Sequence, residues 1–132
     1  MARLLVVDDE PRIVRLLTRI LVSEGYDVET ASTGEEALLT AAAVDVDLVV
    51  LDLLLPGIDG HAVLRELLRR DARARVLVLS ALGDEEARAQ CLAEGAVDYV
   101  AKPFAVADLL ARVAAQLADV STDAPPAGRT TA

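Results

Sequence analysis

Tryptophan is absent from this chain, and its few aromatic residues are Tyr26, Tyr99 and Phe104. A base-stacking platform for single-stranded nucleic acid needs more aromatic faces than that, so this class of function is excluded. One cysteine, Cys91, rules out an intramolecular disulfide, and with one histidine, His61, no Cys/His zinc set can be assembled. Basic residues are in deficit, 13 against 22 acidic ones, for a net charge of −9. Such a surface repels a nucleic-acid backbone, and direct DNA contact by this domain is not expected. No apolar run approaches the roughly 20 residues that span a bilayer. The first residues, Met1 to Asp9, reach two acids too early for a secretory signal. Together these absences point to a cytoplasmic protein. Neither G-x-x-x-x-G-K-[ST] nor a G-x-G-x-x-G after the first strand occurs, which argues against a nucleotide or flavin binder.

What is present is a chain of 132 residues, 54% hydrophobic, enough for one domain with a real core. Its organising stretch runs from Asp47 to Gly60. Leu48-Val49-Val50-Leu51 reads as a strand buried on both faces, Asp52 interrupts it, and Pro56, Gly57 and Gly60 turn it into a loop. Around it, Arg3–Val7 is a first strand ended by Asp8-Asp9-Glu10. Pro11 to Glu24 follows as a helix, with Ile13, Leu16, Leu17, Ile20 and Leu21 at helical spacing, stopped by Gly25. Tyr26–Ala31 alternates as a less buried strand, and Thr33-Gly34-Glu35-Glu36 has the spacing of a capping box before a small-residue helix. Helices are expected over Gly60–Arg70 and Asp84–Glu94, the latter carrying Cys91 as a small apolar residue, and strands over Val76–Leu79 and Val97–Ala101. Val106, Leu109, Leu110, Val113 and Leu117 mark the clearest amphipathic helix. Five strands alternating with five helices imply an α/β fold with a parallel sheet covered on both faces. From residue 119 to 132 the chain is polar, Pro-rich and aperiodic, and reads as a disordered linker towards a further, C-terminal domain.

Polar residues follow four of the strands at the same relative position: Asp8-Asp9, Asp52, Ser80 and Lys102. Parallel strands bring their C-terminal ends to one edge, where ligands of open α/β sheets bind. Three carboxylates gathered there repel one another unless a cation sits among them, and an all-oxygen set suits Mg²⁺. A metal, an ammonium and a hydroxyl around a central carboxylate are the parts that phosphoryl transfer uses, with the carboxylate itself as nucleophile.

Val6-Val7-Asp8-Asp9-Glu10, Leu51-Asp52 through Asp59-Gly60, Ser80-Ala81 and Gly95 through Phe104, in this order, resemble the motifs of a response-regulator receiver domain of bacterial two-component signalling. The resemblance covers about residues 2 to 118 and implies a flavodoxin-like, doubly wound (βα)5 fold with strand order 2-1-3-4-5. It implies Asp52 as phosphoacceptor and Mg²⁺ held by Asp9, Asp52, the carbonyl of Leu54 and, through water, Asp8. Lys102 would pair with the carboxylate and then with the phosphoryl group, which Ser80 would also bind. Tyr99 would be the aromatic switch that turns inward when Ser80 moves, and Lys102-Pro103 a cis peptide. The implied partner is a sensor histidine kinase docking on the first helix, and the protein is a phosphoacceptor with intrinsic autodephosphorylation, not a dedicated enzyme.

Within the family, the chain is most like the winged-helix transcription-factor subfamily. There Arg88 with Asp108, and Asp98 with Arg112, match pairs that join two copies through an α4-β5-α5 face. The implied sequence of events is phosphorylation, dimerisation and DNA binding by the missing output domain. Val97 stands where an acid is common in that subfamily, which thins the charge network of the dimer face. Leu54 stands where Met is common and Leu82 where a long polar residue is common, so the rim of the site is more apolar than usual. His61 reads as a surface residue at a helix start. Two other readings compete with this one. A stand-alone receiver or pseudo-receiver acting as a binding module keeps the fold, but Asp9, Asp52 and Lys102 are all retained. An aspartate-nucleophile hydrolase wants a second acid two residues after Asp52, where Leu54 stands.

Overall fold

The computed structural model describes residues 1–81 and 83–123, the last five as backbone alone. Its elements are β1 (Arg3–Val7), α1 (Pro11–Ser23), β2 (Asp27–Ala31), α2 (Gly34–Ala43), β3 (Leu48–Leu51), α3 (Gly60–Arg70), β4 (Val76–Ser80), α4 (Glu85–Ala93), β5 (Asp98–Ala101) and α5 (Val106–Asp123). All five strands are parallel in the order β2-β1-β3-β4-β5. This is the doubly wound, flavodoxin-like arrangement expected from the sequence, with β3 between β1 and β4.

The two-residue period of a strand divides the core. Leu5, Val7, Val49, Leu51, Val76 and Val78 face Ala37 of α2, Val63, Leu64 and Leu67 of α3 and Cys91 of α4. Leu4, Val6, Leu48, Val50, Leu77 and Leu79 face Leu17 and Leu21 of α1 and Leu109, Val113 and Leu117 of α5. Because both faces are covered, Leu48 through Leu51 are all buried, which is why β3 reads as an unbroken apolar run.

Helix starts follow the polar residues before them. Pro11 opens α1, and the Asp84 side chain caps α4 by accepting from the Ala87 N–H at 2.8 Å. Thr33 caps α2, accepting from Glu36 N–H at 3.1 Å. The reciprocal half of the expected box is displaced by one residue: Glu36 Oε1 accepts from the backbone of Ser32 at 2.6 Å, and also meets the Ser32 hydroxyl. One glycine has a steric role. A Cβ on Gly60 would lie 2.4 Å from Leu53 Cα, so α3 can start against the end of β3 only with no side chain there.

The sequence-derived boundary at residue 118 requires correction. Helix α5 continues to Asp123, so residues 119–123 are helical and not linker. Polarity misled here. Val120 prolongs the Val113–Leu117 spacing, and the first residues that forbid a helix are Pro125 and Pro126. The rest of the linker reading, 124–132, and the reading of Leu82 lie outside the described residues.

Candidate functional site

Backbone hydrogen bonds fix the strand ends that carry the polar residues. Asp52 N–H donates to Val7 O at 2.9 Å, Lys102 N–H to Ser80 O at 2.9 Å, and Asp8 N–H to Ala31 O at 3.1 Å. These ties hold β1, β3, β4 and β5 in register where they emerge from the sheet. Asp8, Asp52 and Ser80 are each buried, at 2%, 5% and 0% exposure. Asp9, one residue on, is exposed.

The Lys102 ammonium joins the cluster. Its Nζ donates to Asp8 Oδ2 at 2.7 Å and to Asp52 Oδ2 at 3.1 Å. The remaining oxygens face backbone: Asp8 Oδ1 accepts from Glu10 N–H at 2.9 Å and Asp52 Oδ1 from Leu54 N–H at 3.0 Å. Each oxygen keeps a second lone pair. Burial pushes the Asp8 carboxyl above its usual range, although the bonds from Lys102 and Glu10 pull the other way. Burial also acts to depress the Lys102 ammonium. Its bonds to Asp8 and Asp52 outweigh that and hold its pKa above the ordinary value.

Asp8, Asp9 and Asp52 each offer an oxygen, all within 4.8 Å of one another. Three carboxylates against one ammonium leave a surplus of two negative charges, which a divalent cation would cancel. The donors are hard oxygens, the set that Mg²⁺ takes. The residues present therefore fit that ion.

Other residues singled out from sequence fall as follows. Ser80 ends β4 beside Lys102 in the pairing, since it is aligned with Ala101. The Lys102-Pro103 peptide is cis, as expected. Leu54 turns its amide inwards to Asp52 while its side chain is 50% exposed, an apolar rim. Tyr99 already lies inside, at 5% exposure, with its hydroxyl buried and without a hydrogen-bond partner among the described residues.

The charged residues of α4, β5 and α5 pair within the chain. Arg112 Nη1 meets Asp98 Oδ1 at 2.8 Å and its Nε meets Asp108 Oδ2 at 3.1 Å, while Arg88 meets Glu85 at 3.7 Å. The sequence reading places Asp98 and Arg112 in a pair between two copies, whereas within a single copy they pair with each other.

Sequence reasoning missed one tie. His61 Nδ1 lies 2.7 Å from Glu94 Oε1, joining the start of α3 to the end of α4. Arg65 and Gln90 also reach Glu94, at 3.2 and 3.4 Å. The sequence predicts a surface residue at His61, whereas its side chain is 16% exposed. The partners are 33 residues apart in sequence and interrupt no pattern, so no local signal marked them.

Comparison with known proteins gives a consistent picture. The family model described as "Response regulator receiver domain" matches residues 4–114. The transcriptional regulatory protein TcrA of Mycobacterium tuberculosis is 44% identical over 113 residues, covering 86% of this chain and 45% of that protein. Among solved structures, the Borrelia burgdorferi CheX-CheY-BeF3-Mg complex aligns with a TM-score of 0.84 at 38% identity, over 86% of this chain and 87% of that one. The Thermotoga maritima response regulator TrrA, in complex with Mg²⁺ and BeF, aligns with a TM-score of 0.81 at 39% identity, over 89% and 100%. The chain spans about half the length of the curated relatives it matches.

Proposed function

The chain belongs to the response-regulator receiver domain family, and from that premise we propose that Asp52 accepts a phosphoryl group from a sensor histidine kinase. The observation that carries this reading is the Lys102 ammonium held between Asp8 and Asp52, in a cluster where Asp8, Asp9 and Asp52 each offer an oxygen within 4.8 Å of the others. An Asp52 carboxylate oxygen attacks phosphorus, the P–N bond of the donor's phosphohistidine breaks, and its electron pair returns to the imidazole. Lys102 lies where it can follow the charge from carboxylate to phosphoryl oxygen, and the Ser80 hydroxyl binds another such oxygen. Asp9, Asp52, the Leu54 carbonyl and, through water, Asp8 would hold Mg²⁺, which when bound supplies positive charge to the equatorial phosphoryl oxygens.

The receiver domain in this reading runs to the end of α5 at Asp123, and the chain beyond it leads to an output domain. Family relatives named as transcriptional regulatory proteins support a DNA-binding output. The receiver domain does not itself touch nucleic acid, in keeping with its charge of −9. Among the described residues no helix is long and apolar enough to cross a membrane.

Phosphorylation would favour a symmetric dimer through α4, β5 and α5. Since Arg112 already holds Asp98 and Asp108 in its own chain, dimerisation on these residues means exchanging internal partners for external ones. Arg88 would leave Glu85 for Asp108 of the second copy.

Beryllium fluoride, a phosphoryl mimic, tests the proposal. With Mg²⁺ it should shift the amide resonances of residues 8–10, 52–54, 80 and 102 and raise the sedimentation coefficient. Shifts that persist in Asp52→Ala would refute the assignment of the acceptor, and an unchanged sedimentation coefficient would refute the dimer.

A further inference from the structure

At the edge of the sheet opposite the carboxylate cluster, where α2 and α3 end and β3 and β4 begin, lies a cavity of about 380 Å³. Small-ligand sites occupy about 300–1,000 Å³. Val46, Val49 and Leu67 give the cavity apolar walls, and Asp45, Arg70, Asp71 and Arg75 stand among them. The length of β3 separates Val46 from Asp52, a run of about 20 Å, so the cavity shares no wall with the carboxylate cluster. Its charged groups are unevenly engaged. Arg75 donates to the Gln116 carbonyl of α5. Arg70 donates from Nε to Glu66 at 2.8 Å and from Nη1 to the Leu38 carbonyl at 3.5 Å, while its Nη2 has no acceptor among the described residues. Asp71 Oδ1 accepts the Arg73 N–H at 2.9 Å, and its Oδ2 has no donor among them. Asp45 is exposed, and its carboxylate has no partner among the described residues either.

We infer that this cavity binds a free α-amino acid with an apolar side chain. The unmatched groups are of both signs: carboxylate oxygens on Asp45 and Asp71, and a guanidinium nitrogen on Arg70. The end of α2 adds to the negative side. Beyond Thr40, whose carbonyl takes the Val44 N–H at 3.1 Å, its last carbonyls have no donor within the helix and carry the negative end of the helix dipole. The ligand's ammonium therefore meets Asp45, Asp71 and the end of α2, and its carboxylate meets Arg70 Nη2. Its side chain lies against Val46, Val49 and Leu67, of which Val49 and Leu67 belong to the core. An amine of the same shape leaves the Arg70 donor without an acceptor. A carboxylic acid of the same shape brings a third negative group to Asp45 and Asp71. Selection thus comes from two charges of opposite sign placed around one apolar body. The walls are fixed before the ligand arrives: Val49 N–H donates to the Arg75 carbonyl at 2.9 Å, and Arg75 is itself tied to α5.

The test uses the full 132-residue chain, labelled with ¹⁵N, and three probes of one shape. They are L-leucine, isoamylamine, which lacks the carboxylate, and 4-methylpentanoate, which lacks the ammonium. Leucine should shift amides of residues 41–49 and 67–75 and bind about tenfold more tightly than either single-charge probe. Asp45→Asn/Asp71→Asn should weaken leucine and isoamylamine about tenfold and leave 4-methylpentanoate no weaker. Arg70→Gln should weaken leucine and 4-methylpentanoate and spare isoamylamine. Arg12→Gln, on α1, should change none of the three. Circular dichroism checks that every variant folds. No shift with leucine up to its solubility, equal affinity for the three probes, or insensitivity to the Asp45/Asp71 and Arg70 changes overturns the inference. Isoamylamine binding as tightly as leucine overturns it too, assigning the cavity to a simple cation. Shifts confined to residues 8–10 and 52–54 overturn it by placing the ligand at the carboxylate cluster.

Discussion

Lys102 Nζ and Asp8 Oδ2 stand 2.7 Å apart across 94 residues of sequence, closer than the 3.1 Å between Lys102 and Asp52. The lysine, which is the sole lysine of the chain, is thus anchored on the metal side of the cluster as well as on the acceptor. Replacing it, Lys102→Ala, leaves two buried carboxylates facing each other and should destabilise the fold by about 2 kcal/mol in metal-free buffer. Mg²⁺ should restore more stability to the variant than to the parent. A site filled at a hundredfold excess over Kd contributes about 2.7 kcal/mol. Urea unfolding with and without Mg²⁺ measures both. A variant as stable as the parent without metal would show that the ammonium does not balance the acids.

Tyr99 gives an opposite expectation. Its hydroxyl is buried without a partner among the described residues, and burying an unpaired hydroxyl costs about 1–3 kcal/mol. Tyr99→Phe removes that hydroxyl and keeps the ring, so it should raise stability by about 1 kcal/mol. A loss of stability in thermal unfolding would mean that the hydroxyl has a partner in solution.

The tie between α3 and α4 predicts a dependence on pH. Burial acts to raise the Glu94 carboxyl, but its bonds to His61 and Gln90 and the nearby Arg65 charge overcome that and hold its pKa below the ordinary 4.5. A carboxylate depressed in the folded state stabilises it fully above the unfolded pKa, about pH 4.5. That contribution is lost as pH falls through the lower folded value. Glu94→Gln should therefore narrow its gap from the parent as the pH drops below 4.5. A gap that stays constant from pH 6 to pH 3, followed by chemical denaturation, contradicts the pairing. His61→Ala should cost about 1 kcal/mol at neutral pH.

Gly60 is the point where a single methyl group should disturb the site. With the new Cβ 2.4 Å from Leu53 Cα and 2.7 Å from Leu53 O, Gly60→Ala must push α3 away from the end of β3. A loss of about 2–3 kcal/mol follows from such overpacking. Because Leu53 directly follows Asp52, Mg²⁺ affinity should fall as well. Unchanged affinity and stability would show that the loop relaxes freely.

The parts of this site that could be read in the sequence are those that break a pattern. Asp52 interrupts a run of buried leucines and valines, Asp8 and Asp9 end another, and Lys102 follows a third, so strand periodicity and parallel order were enough to bring them together. His61 and Glu94 sit at a helix start and a helix end, where polar residues are ordinary, and only the packing of α3 beside α4 pairs them. The contact of Arg112 with Asp98 inside one copy was not legible, because 14 residues separate them and the sequence reading placed both on a face between two copies. The extension of α5 past residue 118 was hidden by a polar composition that suits a solvated last turn as well as a linker.

The account stands on Asp52 as acceptor, and intact-mass measurement after incubation with acetyl phosphate and Mg²⁺ tests it most directly. The predicted result is a gain of one phosphoryl group, mapped to the peptide holding Asp52, absent with chelator and absent in Asp52→Ala. A parent chain that gains nothing, or an Asp52→Ala chain that gains the same group, would contradict it.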